Sequence, residues 1–133
     1  MKKKLINGVF AFMIVIAAIS CSKSDTNVPS TNTITGKWNG SITGPGGPSH
    51  QITFNFKAGG SFAVDSASTS LTDWATGTWI LAADSVRAVY TFLDGIQGTY
   101  SIAGKYSADF KTMIGTLGIN SSTSGYGTFV VAK

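Results

Sequence analysis

The sequence predicts an all-β domain closed into an eight-stranded antiparallel up-and-down barrel. Three observations carry that expectation. A tripeptide of glycine, a polar residue and a large apolar residue recurs as Gly36-Lys37-Trp38, Gly60-Ser61-Phe62, Gly77-Thr78-Trp79, Gly98-Thr99-Tyr100, Gly115-Thr116-Leu117 and Gly127-Thr128-Phe129. Glycine takes turn and corner geometry that other residues avoid. The polar residue then faces water, and the third residue points inward on the opposite face of the pleat. Second, apolar and polar residues alternate through eight short segments, the period of a half-buried strand. Third, all six acidic residues are aspartates, arginine occurs once, and Thr, Ser and Gly are abundant, a composition that disfavours helices and suits strands and turns.

The strands follow in order. Residues 35–43 set Trp38, Gly40 and Ile42 against Lys37, Asn39 and Ser41. Residues 44–48 hold two prolines and three glycines, which do not fit inside a ladder and so form a loop. Residues 50–57 place Ile52, Phe54 and Phe56 inside, and Ala58-Gly59-Gly60 closes a tight hairpin. The third strand turns Phe62 and Val64 inward. Residues 66–73 are a Ser/Thr/Ala stretch, read as a longer connection that leaves Trp74 outside the pattern. Residues 75–82 point Trp79 and Leu81 the same way, and residues 83–85 turn the chain. Residues 86–93 set Ala88, Tyr90 and Phe92 against Arg87, Val89 and Thr91, before an Asp94-Gly95 hairpin signal. Residues 99–106 carry Tyr100, Ile102 and Tyr106, and residues 112–120 carry Met113, Leu117 and Ile119. Residues 121–125 form a loop, and residues 126–132 bring Phe129 and Val131 to the core. One apolar face per strand demands burial, and eight twisted strands closed on themselves have no edges. A two-sheet β-sandwich is the alternative, because it uses the same strand and turn signals.

The N-terminus is of another kind. Met1-Lys2-Lys3-Lys4 is basic, residues 5–19 are apolar except for Asn7 and Gly8, and small residues precede Cys21. Residues 1–20 thus read as a signal peptide, since the apolar run is shorter than the ~20 residues a spanning helix needs. An uncleaved anchor is the alternative. The segment resembles a bacterial lipoprotein signal, with Ala18 at the usual leucine position of the lipobox. The resemblance implies that Cys21 is lipidated, with palmitate or a similar acyl group, and begins the mature chain. It also implies attachment through that lipid to the bacterial cell envelope, at the outer membrane. More than one acyl chain is needed for stable anchoring. Residues 21–33 are polar and read as a flexible tether, and residues 34–133 form the domain.

Composition excludes several functions. Cys21 is the only cysteine, so the domain has no internal disulfide, thiolate metal site or catalytic thiol. The net charge of +4 includes Lys2, Lys3 and Lys4; without them the chain is near neutral and offers nucleic acid no basic stripe. His50 is the only histidine and reads as a solvated strand-start residue, not a base or ligand. With no glutamate beside it, no zinc site is expected, and no cofactor is indicated. The five domain aspartates fall mostly at turns, where carboxylates cap backbone amides, and match no calcium loop. No serine lies in a nucleophile elbow. The expectation is a protein without catalysis.

At Gly36-Lys37-Trp38 the chain resembles the lipocalin and calycin group, and in particular the short lipocalin-like lipoproteins of bacterial envelopes. Gly77-Thr78-Trp79 and Gly127-Thr128-Phe129 are also similar to segments of the small avidin-like barrels. In lipocalins a basic residue near the last strand covers the tryptophan; here that strand offers Lys133, while Arg87 lies in strand five. The resemblance implies the fold and carries over no binding residues. The inferred inner face holds Trp38, Phe54, Phe56, Phe62, Trp79, Tyr90, Phe92, Tyr100 and Phe129. Of these, Phe54, Phe56, Phe62, Trp79, Tyr90, Phe92 and Tyr100 are the ligand-binding candidates if the barrel is a cup for a small apolar or amphipathic molecule. If they fill the interior, the expected function is an envelope interaction protein that docks a protein or glycan through residues 44–49 and 66–74. The oligomeric state is not indicated.

Overall fold

Eight strands hydrogen-bond in sequence order and the last returns to the first. The computed structural model describes residues 33–67 and 71–133. The expected signal peptide at residues 1–20, Cys21 and the tether up to residue 32 lie outside the described residues. The strands are β1 (Gly36–Thr43), β2 (Ser49–Phe56), β3 (Ser61–Ser66), β4 (Leu71–Ala82), β5 (Ser85–Phe92), β6 (Thr99–Tyr106), β7 (Thr112–Ile119) and β8 (Gly127–Ala132). Each pairs antiparallel with the next, and β8 pairs with β1, so the sheet is a closed barrel and not a sandwich.

The register explains why alternation in the sequence becomes a layered interior. Trp38 lies opposite Phe54, Gly40 opposite Ile52, and Ile42 opposite His50. Phe54 lies opposite Val64, and Tyr90 opposite Tyr100. Trp38, Phe54, Phe56, Phe62, Phe129, Ile102 and Met113 are fully buried. At Gly77 the strands approach so closely that a Cβ would sit 1.8 Å from the Val89 carbonyl oxygen. Only glycine permits the bend of β4 there.

One end of the barrel is closed. The indole Nε1 of Trp38 donates to the Ile34 carbonyl at 2.8 Å. Lys133 Nζ lies 5.6 Å from the Trp38 ring centroid and donates to the Thr33 and Thr35 carbonyls at 2.7 and 2.6 Å. The last residue thereby locks the segment that enters β1. Phe110 stacks on Tyr106 at the same end, with centroids 4.8 Å apart.

Some local expectations are corrected. Ala58-Gly59-Gly60 is a short 3-10 turn, with Gly59 at φ 79°. Strand β4 begins at Leu71, so Trp74 belongs to a strand and not to the preceding connection. The reason is a bulge: the β3–β4 register shifts between Val64 and Ser66, and Asp73 takes a left-handed φ of 50°. Asp65 Oδ1 accepts the Asp73 amide at 2.8 Å, and Asp65 Oδ2 accepts from Lys37 at 3.0 Å. Lys57 in turn binds Asp73 at 3.0 Å. Leu81 and Ile119 were expected inside but are 55% and 42% exposed. Leu81 stands beside the two-residue β4–β5 turn, and Ile119 ends β7, so no further layer covers either. Asp94-Gly95 does not form a two-residue hairpin; residues 93–98 make a longer loop.

Candidate functional site at the barrel mouth

The end opposite Trp38 is where β1, β3, β5 and β7 finish and the even-numbered strands begin. Its loops span residues 44–48, 93–98 and 120–126. Apolar residues of the last inward-facing layer meet water there, because no layer lies above them. Phe92 and Tyr100 are half-buried, and their rings meet edge to face at 5.1 Å. Tyr126 adds a third ring at 5.8 Å from Tyr100. The Asp73 bulge brings Trp74 against Phe92, with centroids 4.5 Å apart. Trp74 is held by a 2.5 Å hydrogen bond from its Nε1 to Asp94 Oδ2. Asp94 Oδ1 also accepts the Ile96 amide at 3.3 Å, so one carboxylate orders both the loop and the indole.

Two hollows open at this end. One, of about 230 Å3, is lined by Ile42, His50, Leu117, Tyr126 and the proline-glycine loop. The other, of about 190 Å3, is lined by Ile42, His50, Ile52, Ser66 and Trp74. They share Ile42 and His50, which face each other across β1 and β2. His50 is therefore solvated, as expected, but it sits on the inward face, at the rim.

The polar atoms of the cup are phenols. Tyr90 is 2% exposed and stacks on Tyr100 with centroids 5.9 Å apart. Burial pushes its ionisation far above that of an ordinary phenol, and the neighbouring Tyr100 and Tyr126 phenols push it further. Three phenols thus gather at one end of the barrel.

The ligand-binding candidates form one ladder of rings, but only part of it reaches open space. Phe56 and Phe62 lie 4.9 Å apart, Phe54 and Phe62 5.5 Å, and Phe62 and Tyr90 5.6 Å. Phe54, Phe56 and Phe62 are at most 1% exposed and pack on one another, filling the middle. Trp79 lies toward the closed end, against Phe56, with its Nε1 donating to the Lys57 carbonyl at 2.9 Å. Tyr90 bridges the filled centre and the mouth, and Phe92 and Tyr100 are at the mouth itself. Sequence reasoning missed Ile42, His50, Leu117 and Tyr126 as mouth residues. The apparent outlier Trp74 beside an aspartate was the available signal for the bulge.

No protein-family model, curated protein or solved structure matches the chain. Geometry alone therefore bears on what the mouth does. The domain aspartates all have structural partners: Asp65 and Asp73 at the bulge, Asp84 with Lys105 at 3.0 Å, Asp94 with Trp74, and Asp109 with Ser107 at 2.5 Å. The Lys105 ammonium holds the Asp84 carboxyl below the usual range, and the Ser107 hydroxyl does the same for Asp109. The mouth is thus an apolar, aromatic recess with tyrosine hydroxyls, suited to holding a molecule by contact and hydrogen bonding.

Proposed function

We propose that the chain is a membrane-anchored, lipocalin-like lipoprotein of the bacterial envelope that binds a small apolar or amphipathic molecule without chemistry, at the mouth of its barrel. The observation that carries this reading is the gathering of three phenols, Tyr90, Tyr100 and Tyr126, beside Trp74 and Phe92 at the open end of the barrel. A buried or half-buried phenol ordinarily has a hydrogen-bond partner, and aromatic walls contribute large apolar area. A ligand with one acceptor group and an apolar body supplies both. Each mouth hollow is smaller than the roughly 300–1,000 Å3 of drug-sized sites, which limits the occupant of either one to a single ring or short chain. The anchor, through Cys21, would hold this recess near the membrane.

The filled centre favours a second reading, in which the loops around Trp74 and residues 44–49 dock a protein or glycan. The test is native mass spectrometry of the full chain, extracted from its host membrane in mild detergent. A small-molecule adduct that disappears in Trp74→Ala and in Tyr100→Phe supports ligand binding at the mouth. An adduct retained in both variants refutes the mouth as the site. A clean mass with co-purifying protein or glycan lost in Trp74→Ala replaces the first reading by the second.

A further inference from the structure

The outer wall of the barrel is not uniformly polar. On β1 and β2 it presents Lys37, Asn39, Ser41, Gln51, Thr53 and Asn55, but across β5 to β8 it becomes apolar, with Ile114 and Val130 paired and 59% and 57% exposed. Beside them the row Arg87, Ala103, Thr116, Thr128 crosses four strands. Its small middle residues make the floor of a trough of about 610 Å3. A second hollow of about 340 Å3 lies between Ile80, Val89, Ser101 and Thr123. Arg87 lines both.

The wall of the smaller hollow, beside the trough, is built, not accidental. The loop of residues 121–124 folds back onto the outside of the barrel. Ser101 Oγ donates to the Ser122 carbonyl, and Thr116 Oγ1 donates to the Thr123 carbonyl at 2.6 Å. That contact is why Ser101, polar and outward by alternation, is 1% exposed. It also requires Gly118, where a Cβ would meet the Ser122 carbonyl oxygen at 1.8 Å. Charge distinguishes Arg87 further. It is the only arginine of the chain, and among the described residues it has no carboxylate partner. Lys105, the other cation on the trough, is taken by Asp84 at 3.0 Å.

We infer that this outer trough is a second binding site, for an unbranched acyl chain ending in a single carboxylate, with the carboxylate on Arg87 and the chain along Ala103, Ile114 and Val130. A guanidinium matches a carboxylate in a two-bond fork, and the one unpaired cation sets the headgroup at one negative charge. The trough volume falls within the roughly 300–1,000 Å3 of small-molecule sites. A membrane surface fits less well: it is flat where the wall is concave, and it is attracted by clusters of basic residues, where this trough carries, among the described residues, Arg87 and an ion-paired Lys105.

The experiment uses the full chain in lipid nanodiscs and two photoreactive probes, a dodecanoate and a dodecanol, each with a diazirine at its chain end. Cross-links are placed by peptide fragmentation. The dodecanoate is expected to label residues 112–116 and 128–131. Arg87→Gln and Val130→Asp should each lower that yield at least about tenfold, as should the neutral dodecanol, because a hydrogen-bonded charge pair is worth a factor of that order. Trp74→Ala should leave it unchanged, which separates this site from the mouth. Label on residues 42–50 or 74, lost in Trp74→Ala, would overturn the inference in favour of the mouth. Labelling of the trough that is indifferent to Arg87→Gln would overturn the carboxylate's role. Protection of the trough without any label, through self-association abolished by Val130→Asp, would assign the wall to a second copy of the chain.

Discussion

Replacing Phe54 by alanine tests whether the barrel interior is solid. Phe54 is fully buried, and its ring lies 5.2 Å from Phe129, 5.5 Å from Phe62 and 6.4 Å from Phe56. Its neighbours are held by closed strands, so they cannot collapse into the space left behind. The loss should therefore reach the usual range for a buried phenylalanine, about 3–5 kcal/mol. For a domain of about 100 residues this corresponds to a fall in Tm of roughly 12–40 °C. The assay is thermal unfolding followed by near-ultraviolet circular dichroism, with and without saturating benzene. An apolar cavity without water takes up benzene, so part of the lost stability should return in the variant and none should be gained by the native chain. A cost below about 1 kcal/mol would refute the reasoning, because it would mean that the ring already borders open space. The interior would then be a cup along its whole length, and Phe54, Phe56 and Phe62 would return as ligand-lining residues.

Other outcomes follow from particular contacts. Lys133→Met removes the ammonium from the Trp38 face and both carbonyl contacts; a loss of about 1 kcal/mol of unfolding free energy, read from urea denaturation, is expected, with a change in tryptophan emission. Gly77→Ala should cost about 4 kcal/mol or more and prevent accumulation of folded protein, as the new Cβ would meet the Val89 carbonyl. At Asp65, burial opposes ionisation, but the Asp73 amide and the Lys37 ammonium overcome it and hold the carboxyl below its usual range. Its stabilising contribution is thus complete above the ordinary carboxylate pKa of about 3.9 and is lost as the pH falls through the lower folded value. Asp65→Asn should flatten the fall in Tm between neutral and acidic pH, measured against the native chain.

Much of the fold was legible because the side-chain period of a strand is two and each inner face had to be apolar. Ile52, Phe54 and Phe56, or Ala88, Tyr90 and Phe92, announce their strands and their direction without any tertiary knowledge. The candidate site was less legible. Trp74 breaks the period, since a bulge adds one residue to a strand and its cause lies in Asp65, on the neighbouring strand. Ser101 reads as an outward residue, but a loop from residues 121–124 buries it. Asp94-Gly95 carries a hairpin signal, yet the Asp94 side chain serves Trp74 instead.

By itself, the sequence announced the strand order and most of the inward set, and it favoured the closed antiparallel barrel over a sandwich, because alternation and short turns leave few ways to bury eight apolar faces; the β8–β1 pairing and the exposure of Leu81 and Ile119 came from the tertiary structure. Tertiary structure alone decided which inward residues fill space and which border it. Phe54 and Tyr100 obey the same alternation, but one lies among the rings of Phe56, Phe62 and Phe129 and the other in the last layer, next to water. It also decided that Lys133 lies over Trp38 and that Arg87 stands beside an apolar trough without a carboxylate partner among the described residues. Those relations depend on strand tilt and on loops folding back across the wall, and neither is encoded in the local period of the chain.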